Sequence, residues 1–111
     1  MTVINIEQGM PTADQALQKL QAALRQAKIG RQDAVKVIHG YGSTGRGGVI
    51  KSRMRGFLSG QKRRGLVRAF VSGEDFTPFS ADGRRAVDIC PALSRDRDYG
   101  RGNPGITIVL L

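Results

Sequence analysis

The sequence contains no tryptophan, one cysteine and one histidine, with two tyrosines and four phenylalanines among 111 residues. With so few aromatics, the core must be largely aliphatic. The lone Cys90 forms no internal disulfide. One cysteine and one histidine cannot build a Cys/His zinc site, so no cofactor is expected. No apolar run approaches the roughly 20 residues of a membrane-spanning helix. The opening M-T-V-I-N-I-E-Q-G lacks the basic-then-apolar order of a secretion signal. The length suits one domain, residues 1–111, with a single core. The expectation is a cytoplasmic protein with no membrane partner; its oligomeric state is not written in the sequence.

A further absence is acid in the middle of the chain. No Asp or Glu lies between Asp33 and Glu74, while Lys36, Arg46, Lys51, Arg53, Arg55, Lys62, Arg63, Arg64 and Arg68 do. Elsewhere nine basic residues meet nine acidic ones, so the whole net charge of +9 sits on that interval. Charge gathered in this way is the footprint of a polyanion binder.

The interval opens on V-K-V-I-H-G-Y-G-S-T-G-R-G-G. Val35, Val37 and Ile38 read as a strand ending at His39, and the loop beyond holds Gly40, Gly42, Gly45, Gly47 and Gly48. A helix is predicted from about Gly48 to Ser59, with Ile50, Met54, Phe57 and Leu58 on one face and Lys51, Arg53 and Arg55 off it. Helix starts leave N–H groups unpaired, and glycines let a phosphate come close to them. Gly40-x-Gly42-x-x-Gly45 matches dinucleotide-binding spacing, but the acid that should follow about 20 residues later is missing. The NTPase phosphate loop needs Gly-Lys-Ser/Thr where this chain has Gly-Gly-Val. The predicted ligand is therefore a polynucleotide backbone. Its contacts are assigned to His39, Gly40, Tyr41, Gly42, Gly45, Arg46, Lys51, Arg53 and Arg55, with Tyr41 placed to stack on a base. His39 reads either as a phosphate contact or acid–base group, or as a histidine that fixes the loop.

Around this stretch, Val3 to Ile6 reads as a first strand. Thr12 and Gln15 form a capping box for a helix whose Ala13, Ala16, Leu17, Leu20, Leu24 and Ala27 share a face, with Gly30 as its C-cap. Gly56 inside the second helix suggests close packing. G-Q-K-R-R-G reads as a basic connector, Leu66 to Val71 as a strand, and about 81–90 as a short helix. The insert 74–104 is expected to include an exposed, mobile polar loop. I-T-I-V-L-L closes the chain as a strand buried on both faces. The order β-α-β-α-β-(α)-β predicts a compact two-layer α/β sandwich.

V-I-H-G-Y-G-S-T-G-R resembles the H-G-x-G-x-G loop of the small MutS-related (Smr) domain family. Gly105-Ile106-Thr107-Ile108-Val109 resembles that family's closing G-x-T-x-V strand. The resemblance implies a fold like the C-terminal domain of translation initiation factor 3. It also implies DNA or RNA binding and, in some members, nicking endonuclease activity. Where the family opens with L-D-L-H-G, this chain has I-N-I-E-Q-G, with Asn5 in place of the acid and Glu7 or Gln8 in place of the histidine. The leading expectation is a stand-alone nucleic-acid-binding domain. One alternative is a nicking endonuclease using His39 and Glu7, with Arg46 stabilising charge. Another is a protein-interaction or small-anion module using the last strand and the glycine loop.

Overall fold

The computed structural model describes residues 1–40 and 45–111, with residues 45–47 described as backbone alone. Four strands, β1 (Thr2–Asn5), β2 (Ala34–Ile38), β3 (Ala69–Ser72) and β4 (Ile106–Leu110), form one sheet. Three helices, α1 (Ala13–Ile29), α2 (Gly45–Arg63) and α3 (Ala81–Ile89), join them, with a 3₁₀ turn at Pro91–Arg95. The sheet order is β1-β2-β4-β3. β1 and β2 are parallel, and β4 runs antiparallel to both β2 and β3. The C-terminal ends of β1, β2 and β3 therefore share one end of the molecule, where α1 and α2 begin.

Side chains alternate across a strand. Val35 and Val37 accordingly enter the core formed with Ala16, Leu20 and Leu24 of α1 and Ile50, Met54 and Leu58 of α2. Ala34 and Ile38 face the other way. Thr12 caps α1 in both directions, accepting from Gln15 N–H while the Gln15 side chain accepts from Thr12 N–H. Gly30 is the C-cap, yet the left-handed residue is Arg31 (φ 55°). Arg31 N–H bonds Lys28 O, and Gln32 N–H bonds Ala27 O, which together make a Schellman closure.

α2 is longer than predicted. It passes Gly56 and Gly60 and ends in a second Schellman closure, with Gly65 N–H on Lys62 O and Leu66 N–H on Gln61 O. Gly65 sits at φ +74°, which only glycine adopts cheaply. The stretch expected as a connector is thus mostly the last turn of α2 and its cap, and β3 starts later, at Ala69. Close packing does not explain Gly56, because a Cβ there would meet nothing within 4 Å.

The insert covers the second face of the sheet. Phe76, Ala86 and Leu93 are buried against Ala69, Val71, Ile106, Ile108 and Leu110. The Tyr99 ring lies 5.0 Å from that of Phe76, tilted by 60°. The sequence reading of an exposed polar loop fails at Asp98, which is buried. β4 is buried along its whole length and paired on both edges, so it offers no docking strand to a protein partner.

Candidate nucleic-acid interface

His39 and Gly40 leave β2 where the glycine loop begins, and β4 fixes both. Gly105 O accepts from His39 N–H (3.0 Å) and from Gly40 N–H (3.2 Å). The His39 ring is fully buried. Nδ1 lies 2.9 Å from Gly40 O, and Nε2 lies 2.9 Å from Thr107 Oγ1. A carbonyl only accepts, so Nδ1 carries the proton, and in the neutral ring Nε2 accepts from the Thr107 hydroxyl. Burial, aided by the charges of Lys51 and Arg55, pushes the His39 pKa below its usual value; its bond to Gly40 opposes this and loses. The ring is therefore neutral at pH 7 and occupied on both nitrogens, the geometry of a residue that shapes the loop base.

A hydrogen-bond chain leads from this base into the insert. Asn103 Oδ1 accepts from Gly105 N–H at 2.9 Å, and Asn103 Nδ2 donates to Asp98 Oδ1 at 3.1 Å. Lys36 Nζ donates to Asp98 Oδ2 and Asp96 Oδ1, both at 2.6 Å. Burial alone would push the Lys36 ammonium down, but its two carboxylate partners hold it above its ordinary value. Burial would likewise raise the Asp98 carboxyl, and Lys36 and Asn103 outweigh it and hold it low. Lys36 therefore leaves the exposed polyanion footprint and becomes part of the loop's support. The sequence reading missed Thr107, Asp96, Asp98 and Asn103. A lone lysine between buried valines was the available signal, since a buried ammonium needs acid partners.

The parallel pairing of β1 and β2 brings Glu7 to the loop. Its carboxylate lies where a Cβ on Gly40 would point and would have to swing aside for one, while the backbone of Gly40, at φ +83°, favours glycine in its own right. Glu7 is exposed and is not a partner of the His39 ring. Asn5 Oδ1 accepts from the N–H groups of Glu7 and Gln8, both at 2.9 Å, and so holds the turn that carries Glu7.

On α2, Lys51 Nζ donates to Glu74 Oε1 and Pro104 O, both at 3.2 Å, and so ties down the two ends of the insert. Arg53 bonds Asp14 on α1 at 2.6 Å, across a pair that is half or more exposed on each side. Exposed pairs of this type contribute little and exchange partners readily. Arg55 is exposed, beside a groove it shares with Ser72, Asp75 and Asp82. The first turn of α2 holds no acid. Tyr41 and Gly42 lie outside the described residues, as does the side chain of Arg46, while Gly45 is described as the first residue of α2.

The family model of the Smr domain matches residues 8–75. The chain belongs to the Smr domain family. The crystal structure of the Smr domain of Thermus thermophilus MutS2 superposes with a TM-score of 0.62 at 20% identity, covering 100% of this chain and 98% of that one. At that identity the likeness establishes the fold. A search of curated proteins returned no significant match. The Smr match takes in α1, β2, α2 and β3, and the structural match extends over the insert and β4 as well. No described helix of this Smr domain is long and apolar enough to cross a membrane.

Proposed function

We propose that this Smr domain, acting as one unit over residues 1–111, binds DNA or RNA by the phosphate backbone. Contact is made at the end where β2 passes through His39 and Gly40 into the glycine loop and α2. One observation carries the reading: on a scaffold of this family, α2 opens with an acid-free first turn, followed within two turns by Lys51, Arg53 and Arg55. A helix N-terminus of that kind attracts anions. Lys51 and Arg53 reach phosphate by exchanging the carboxylates that hold them. Tyr41, Gly42, Gly45 and Arg46 complete the proposed contact set.

Binding is favoured over cleavage by the state of His39. A general base must reach the proton it abstracts, and the one ring lone pair here is engaged by Thr107. His39 is assigned to hold the loop base. The exposed Glu7 is the carboxylate left at the loop for a nicking reading. A native-gel assay with duplex DNA, branched DNA and structured RNA, with and without a divalent metal, tests both. Retarded, intact substrate is expected. Nicked product that vanishes in Glu7→Gln would replace this reading with the nuclease.

A further inference from the structure

The acid-free interval looks like one footprint in the sequence, and the fold divides it. α2 spans Gly45–Arg63, which at ~1.5 Å per residue separates its ends by roughly 28 Å. That is most of the molecule, whose extents are 34 × 30 × 23 Å. His39, Gly40 and the start of α2 lie at one end. Lys62, Arg63, Arg64 and Arg68 lie at the other, where α1 also ends with Arg25 and Lys28. Two adjoining grooves of about 400 and 600 Å³ join these elements and share Lys28, Leu66 and Val67. Arg25 and Arg64 line the first groove, and Lys62 and Arg68 the second. Neither groove is lined by an acidic side chain.

These six cations are all exposed, and none belongs to an ion pair among the described residues. Neutralising the ends of two helices does not account for them. Each helix C-terminus carries about half a negative charge, so two ask for roughly one cation. Setting Asp33 against the remainder still leaves about four positive charges on one end of a small domain. The patch and the start of α2 stand at opposite ends of a helix roughly 28 Å long, so each end can hold its own nucleic-acid segment.

We propose that this end is a second polyanion-binding surface, and that the domain bridges two nucleic-acid segments, one at each end. The proposal rests on the backbone-binding reading given above. Five cations on the walls of the two grooves would grip phosphates by charge, without reading sequence.

A two-duplex capture assay tests it: one duplex DNA fixed to beads, a second labelled duplex in solution, and a parallel set with duplex RNA. Wild-type protein should retain the labelled duplex. The triple variant K62E/R64E/R68E, altered only at exposed positions, should lower that retention by about tenfold or more while still binding the bead duplex. Wild-type protein that binds one duplex and never retains a second overturns bridging alone. Wild-type protein that binds neither overturns the backbone-binding reading with it. Retention that survives in the triple variant, as a dimer bridging through its glycine loops would give, overturns the assignment to this surface. Polyglutamate that binds this end more tightly than duplex does would assign it to an acidic protein instead.

Discussion

A lysine inside a buried strand is tolerable only if its charge is matched. Lys36 meets that condition through Asp96 and Asp98, and the consequence reaches the loop base through Asn103 and Gly105. Replacing Lys36 with Met leaves two carboxylates nearly buried without their cation, and should cost about 3 kcal/mol of unfolding free energy. The pH dependence separates the groups. Asp98 is held low, so its contribution is complete above the unfolded carboxylate value of about 4 and is lost as pH falls through its lower folded value. Lys36 is held high, so its contribution is complete below about 10.4 and is lost as pH rises through its folded value. His39 is held low, and protonating the unfolded chain takes stability away as pH falls through about 6.5. Denaturant melts across pH should therefore show Lys36→Met closing its gap to wild type below about pH 4, while both proteins keep the His39 loss near 6.5. A gap constant at all pH values would remove the ion triad from the stability account. His39 itself was half legible: its place at the loop was plain from H-G, but its partner Thr107 lies 68 residues away in the chain.

Among the elements, α1 was readable from end to end, because its capping box and apolar stripe are local signals. α2 was readable in its inner face and misread at its end. The stretch from Gly60 reads as a connector, whereas the helix runs on through it and the glycine that ends it is Gly65, recognised by its positive φ and the two closing bonds. Gly56 faces open space, so Gly56→Ala should stabilise the domain by about 1 kcal/mol, the ordinary helix-propensity difference. Gly65→Ala should cost about the same, because it forces a side chain into the left-handed region. Thermal melts of the two variants shifting in the same direction would contradict the helix end described here. The insert was the least legible element. Its polar, glycine-rich sequence looks solvated, but Asp96 meets Lys36 across 60 residues, and a pairing of that kind leaves no local pattern.

For the molecule as a whole, composition revealed the charge, and the fold revealed where that charge is usable. Of the nine cations in the acid-free interval, Lys36 supports the loop from inside, and Arg46 lies in the first turn of α2 with its side chain outside the described residues. Lys51 and Arg53 are paired at the loop end, and Arg55 is exposed near them. Lys62, Arg63, Arg64 and Arg68 stand at the far end. The glycine-loop motif and the closing strand carried the family in sequence. The division of charge between two ends could not be read there, because it depends on α2 running the length of the domain. The central claim is backbone binding at the loop end, and the salt dependence of duplex affinity tests it most directly. With four to six phosphates neutralised, log K against log salt should fall with a slope of about −4 to −5. In the double variant Lys51→Ala, Arg55→Ala the slope should become shallower by about 2 and binding should weaken on every sequence tried. A slope and affinity equal to wild type in that variant would contradict the account.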